Sequence, residues 1–199
     1  MLGRLRTLLW IAVGIAAIGT IYLAMNPPSP TMEQGQDLPM QSLGGPFTLT
    51  GSDDKPFNSS QLNGKPAAIF FGFTNCPDVC PTTLARLAKL RGQLGKGDDG
   101  FSIVFITVDP ERDRPEDVGR YTSLFNTPVI GLTGSPADIE RVKKLYGVYS
   151  AKSPTPGGGY SVDHTATVFL LDRNGKFVAT LSPDEGDAPA LDKLRRISS

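Results

Sequence analysis

The chain has little of what usually carries chemistry. Its 199 residues include two cysteines, one histidine and one tryptophan. Two cysteines do not make a disulfide scaffold, and a domain of about 150 residues forms an adequate core without a staple. One histidine means that any site needing an imidazole has a single candidate. Twenty basic residues balance twenty acidic ones. That leaves no electrostatic footprint for nucleic acid, and no run of lysine or arginine supplies one locally. Internal repeats are missing too. Gly 22 and Pro 17 are somewhat high, which fits a domain with long connecting loops rather than a helical bundle.

Long uncharged runs are also scarce, and one near the start stands apart. Leu8–Met25 (LLWIAVGIAAIGTIYLAM) carries no charge and follows Arg4 and Arg6. As a helix it would reach roughly 27 Å, close to the hydrocarbon core of a bilayer. A cleaved signal peptide is the competing reading, but its apolar region is usually about 7–15 residues, with small residues after it. Here Ala17 and Gly19 lie inside the run. A membrane anchor is therefore expected over residues 1–25. No Lys or Arg occurs from Leu8 until Lys55, so the positive-inside bias keeps the N-terminus in the cytoplasm and sends the rest outward. Residues 26–45, rich in Pro, Gly, Ser and Gln, read as a flexible linker, and residues 46–199 as the folded domain. Export places both cysteines in an oxidising compartment, where a disulfide is permitted.

The domain alternates strand and helix signals. FTLTG followed by DDKPF reads as a short N-terminal hairpin. Ala67–Phe73 and Phe101–Val108 are continuous apolar runs, the mark of strands buried on both faces. Thr82–Leu94 reads as a helix through Leu84, Leu87 and Leu90, and Pro115–Phe125 as another. Val129–Leu132 is a short strand. Ser135–Pro136 opens a helix that Gly147 ends. Ser153–Gly159 (SPTPGGG) reads as a flexible loop. Thr167–Leu171 and Lys176–Leu181 flank Asn174–Gly175, a tight-turn signal, and Ala188–Ile197 is a last amphipathic helix. Together these give an α/β sandwich with a mixed sheet.

Both cysteines, Cys76 and Cys80, fall where a buried strand ends and a helix begins, a place where function concentrates in open α/β sheets. A helix N-terminus favours thiolate over thiol, and thiolate is both the redox nucleophile and the soft metal ligand. Pro77 and Pro81 stiffen the loop and keep the helix from absorbing both residues. Three readings stand: a structural disulfide or inert thiols, a dithiol redox pair, and half of a metal site. Common dithiol oxidoreductases use two intervening residues, whereas three lie here. The obvious third ligand is His164, 88 residues after Cys76, although a lone histidine is more often a satisfied surface or core residue. If the strand after His164 lies beside Ala67–Phe73, its leading loop faces the cysteines. Two thiolates and an imidazole suit copper in either oxidation state, whereas zinc wants a fourth protein ligand for a closed site. Asp78 reads as a solvated turn residue. Asp109 and Asp113 either cap the helix that follows them or sit near the thiols.

Three blocks carry a family resemblance: Cys76-Pro-Asp-Val-Cys80-Pro81 after FFGFTN, Val108-Asp-Pro-Glu-Arg-Asp113, and Asp163-His164-Thr-Ala-Thr-Val-Phe-Leu-Leu-Asp172. In this order they resemble the Sco/SenC family over about residues 40–197. The resemblance implies a thioredoxin-like fold whose cis-proline loop is replaced by one holding His164. It implies a membrane-tethered copper protein of cytochrome c oxidase assembly, with Cys76, Cys80 and His164 as ligands for Cu(I) or Cu(II) and Asp109 as an accessory. The implied role is a periplasmic, inner-membrane-anchored chaperone that delivers copper to the CuA-bearing subunit, itself supplied by an upstream copper donor. The rival is a thiol–disulfide oxidoreductase that reduces the apo-CuA cysteines with Cys76 and Cys80. A thioredoxin-like peroxidase is weaker, because no Pro-x-x-x-Thr-x-x-Cys precedes Cys76.

Overall fold

The buried runs of the sequence become the middle of one sheet. The structure, a computed structural model, describes residues 43–198 together with Trp10. Nine strands run along the described chain: β1 (Thr48–Gly51), β2 (Pro56–Asn58), β3 (Ala67–Gly72), β4 (Ser102–Thr107), β5 (Val129–Thr133), β6 (Ser150–Pro154), β7 (Tyr160–His164), β8 (Val168–Leu171) and β9 (Phe177–Leu181). Four helices accompany them: α1 (Val79–Gln93), α2 (Pro115–Thr122), α3 (Pro136–Tyr146) and α4 (Asp187–Ser198). Seven strands form a mixed sheet in the order β2-β1-β5-β4-β3-β8-β9. The β3–β4 and β4–β5 pairs are parallel, and the other neighbours antiparallel. The expected N-terminal hairpin is β1–β2.

Every residue of β3 is buried, as is β4 from Ile103 onward, because crossover helices cover both faces of a parallel centre. Helix α1 lays Leu84, Leu87 and Leu90 onto the sheet. Helix α3 begins and ends as its sequence predicts. Ser135 Oγ accepts from the Asp138 N–H, and Gly147 closes the helix at φ +64°. Leu43–Gly45, at the end of the expected linker, already touch this unit, with Gly44 N–H donating to Leu145 O at 2.7 Å.

Two expectations change. Helix α1 starts at Val79 rather than Thr82, so it takes in Cys80. Pro81 is tolerated there because a first-turn N–H has no intrahelical partner to lose. The segment read as a flexible loop, Ser153–Gly159, is the far end of a hairpin. Strands β6 and β7 pair antiparallel as a separate two-stranded sheet, with Ser150 opposite His164. Gly157, Gly158 and Gly159 turn the chain at φ +92°, +96° and +83°, a region open to glycine without steric cost. The expected membrane span over 8–25 lies, but for Trp10, outside the described residues. Among those described, no helix is long and apolar enough to cross a membrane.

Candidate metal centre

Strand order decides which residues meet. Strand β8 pairs antiparallel with β3, Val168 opposite Phe70, so the start of β8 lies beside the end of β3. The cysteine loop leaves β3 at that end, and the β7–β8 connection arrives there with His164. The two connections therefore face each other, with His164 closing strand β7 instead of sitting in a free loop.

Cys76, Cys80 and His164 come together as the sequence reading proposed. One ligand atom from each lies within 4.8 Å of the other two. Cys80 Sγ is 3.5 Å from His164 Nε2. The ring's other nitrogen, Nδ1, sits 3.0 Å from the Thr165 carbonyl. A carbonyl only accepts, so Nδ1 carries the hydrogen and Nε2 presents its lone pair to the sulfur. The ring packs edge-on against Phe70 and Phe73, with centroids at 6.1 and 5.8 Å. Burial lowers the His164 pKa below its ordinary value, which keeps the imidazole neutral and able to bind a metal at neutral pH.

The two thiols differ. Both are free. Cys76 is half-buried at the rim, and its sulfur accepts from the Cys80 N–H at 3.4 Å, satisfying one orphan donor of the helix start. Cys80 is fully buried. Burial pushes its thiol well above the ordinary range, against the hydrogen bond from the Phe73 region that favours the thiolate. The helix N-terminus does not make Cys80 a thiolate, because desolvation outweighs it. Room for this sulfur comes from Gly72. A Cβ at that position would lie 2.7 Å from Cys80 Sγ and 2.9 Å from Phe105 Cε2.

Neither aspartate caps a helix, and neither lies in the donor group; Asp113 sits near the thiols, where its charge helps raise the Cys80 pKa. The N-terminal residue flanking α2 is Arg114, whose N–H donates to Asp117 at 3.1 Å. Asp113, fully buried, accepts from the Thr74 N–H at 2.9 Å, Thr74 Oγ1 at 2.6 Å and Thr107 Oγ1 at 2.6 Å. It fixes the chain two residues before Cys76 to the end of β4. Burial raises its pKa, opposed by these hydrogen bonds. Asp109 accepts from Arg112 Nε and, at 2.9 Å, from Tyr160 Oη, and it lies outside the donor group. Asp78 is exposed, as read, and accepts from Thr82 Oγ1. Sequence reasoning missed Gly72, Thr74, Arg112 and Tyr160. The only available signal was the three-residue spacing of Asp109 and Arg112, which fits a local ion pair.

A thioredoxin-like sheet that holds two thiols and an imidazole around one point defines a class: a thioredoxin-like domain with a soft three-donor group that could hold a metal ion. The SCO1/SenC family model matches residues 35–199, and the chain belongs to that family. It is 38% identical over 157 residues to the mitochondrial protein SCO2 of Saccharomyces cerevisiae, covering 77% of this chain and 52% of the yeast one. The chain thus spans about half the length of that relative. It is similar to copper-bound ScoI of Bradyrhizobium japonicum, with 43% identity and a TM-score of 0.70 over 78% of this chain and 99% of that one. BsSco, described as a Sco-family cytochrome c oxidase assembly protein with a disulfide switch, aligns at 25% identity. Its TM-score is 0.61 over 78% of this chain and 92% of that one.

Proposed function

We propose that this protein is a copper chaperone that delivers copper to the CuA centre of cytochrome c oxidase during its assembly. In this reading residues 1–25 anchor it in the inner membrane, with the N-terminus cytoplasmic and the domain periplasmic, and an upstream donor loads it. The observation that carries the proposal is the convergence of the Cys76 and Cys80 sulfurs with His164 Nε2 within 4.8 Å. Sulfur and imidazole suit copper, and the three-donor set falls short of the four ligands a closed zinc site takes. Cys80, the fully buried donor, resists loss of the ion. The half-buried Cys76 marks the side from which an acceptor's ligands enter, so that copper passes by stepwise ligand exchange without being released to water.

A second reading has its own support. Both thiols are free and adjacent, Cys76 is accessible, and BsSco is described as having a disulfide switch. As a reductase, the Cys76 sulfur would attack an acceptor disulfide to form a mixed disulfide. Cys80 would then displace the acceptor, leaving a Cys76–Cys80 disulfide, with both electrons passed to the acceptor's thiols. Mixing with an apo-CuA domain separates the two. Copper transfer with no change in thiol count supports the chaperone, whereas acceptor-disulfide reduction by metal-free protein, with no transfer by the loaded form, overturns it.

Proton linkage supplies a further prediction. Cys80 is protonated throughout the neutral range, and copper binds the thiolate, so loading expels that proton. Affinity for copper therefore rises with pH, at least about tenfold per unit between pH 6.5 and 8. Burial lowers the His164 pKa, so its imidazole competes less for a proton there than an exposed histidine would. Titration against a competing chelator at several pH values checks this, and a flat profile would contradict it.

A further inference from the structure

Arg112 stands outside the donor group yet touches what holds His164. The hairpin β6–β7 pairs with no strand of the main sheet, and an isolated two-stranded hairpin is marginally stable in water. Its placement therefore depends on side-chain ties to the body. Tyr160 opens β7 and His164 closes it. Arg112 Nη1 donates to Tyr160 O at 2.9 Å, while Nε donates to Asp109. Tyr160 Oη donates to the other oxygen of Asp109 at 2.9 Å, so the three residues close a ring of hydrogen bonds. The guanidinium lies 3.8 Å from the Tyr160 ring centroid and 5.9 Å from that of Phe73. Phe73 in turn meets the His164 ring edge-on at 5.8 Å. Lys152, on β6, adds an outer tie through Glu111 at 2.6 Å.

We propose that Arg112 is a positioning residue for His164. Its guanidinium fixes both the first residue of the strand that carries the histidine and the aromatic wall against which the imidazole stands. Nη2 of Arg112 is buried without a hydrogen-bond partner. A forked, flat cation joining Asp109, a carbonyl and two rings is a task lysine cannot match. Asp109 acts as the anchor of the clamp. The proposal rests on the copper reading for its metal readout and stands apart from it for its metal-free one.

The test uses Arg112→Lys, which keeps the charge and loses the fork, and Tyr160→Phe, which removes only the hydroxyl bonded to Asp109. In the full-length protein loaded with Cu(II), nitrogen hyperfine coupling from His164 weakens in Arg112→Lys. Cu(II) release speeds up about tenfold, the lower end of what losing an outer-shell partner costs a metal site. Without metal, amide exchange accelerates in β7, at Ser161–His164, and not in α1. Tyr160→Phe shifts both readouts in the same direction by less, and it decides the matter if Arg112→Lys does not fold. Wild-type coupling and wild-type β7 exchange in the folded variants would overturn the clamp. If wild-type protein itself shows no nitrogen coupling, the copper reading fails and the exchange of metal-free protein still decides on Arg112.

Discussion

His164→Ala is expected to abolish the sulfur-to-Cu(II) absorption of the loaded protein and to lower Cu(II) affinity at least about 100-fold. Losing an outer-shell partner alone costs a metal site 10–100-fold, and His164 supplies the only nitrogen donor of the group. The effect on Cu(I) is smaller, because two thiolates remain and soft thiolate sites favour that state. The fold should survive, since the ring is only partly buried and its nearest contacts, Phe70 and Phe73, remain packed in the core. Metal titration followed by absorption, with circular dichroism as the folding control, checks this. A folded His164→Ala protein with the wild-type Cu(II) spectrum would remove the imidazole from the site.

The second large effect comes from a residue with no side chain. Gly72→Ala would place a methyl carbon 2.7 Å from Cys80 Sγ, 2.9 Å from Phe105 Cε2 and 3.1 Å from Phe70 Cε1. None of these neighbours is the end of a flexible chain, and all three are fully buried. Overpacking of this kind costs about 2 kcal/mol, or about 6 °C in melting temperature for a domain of this size. The sulfur also moves off the line toward His164 Nε2, so copper affinity falls along with stability. Gly72→Ala at the wild-type melting temperature and affinity would show that Cys80 does not need this gap.

The contrast between Gly72 and the cysteines shows which parts of the molecule a sequence exposes. Strands β3 and β4 were legible because burial on both faces writes an unbroken apolar run. Helix α3 was legible because Ser135, Pro136 and Gly147 each act locally. The hairpin β6–β7 was not. Its residues are mostly polar, Val162 alone among them is fully buried, and its glycine-rich tip reads as a loop. The ligand trio was legible because cysteine and histidine are so few that one pairing stood out. What supports the trio was hidden. Arg112 and Tyr160 are 48 positions apart, and no local pattern joins them. The placement of Cys80 at a helix start pointed to a thiolate, but the depth of its burial, set by α1 packing on β3, decided otherwise.

In the proposed site one copper ion sits among two sulfurs and one imidazole nitrogen. X-ray absorption of the copper-loaded protein tests it most directly. One copper per chain is expected, with two sulfur neighbours from Cys76 and Cys80, plus the outer-shell scattering of a single imidazole that disappears in His164→Ala. A sulfur-only shell, unchanged by that substitution, would contradict it.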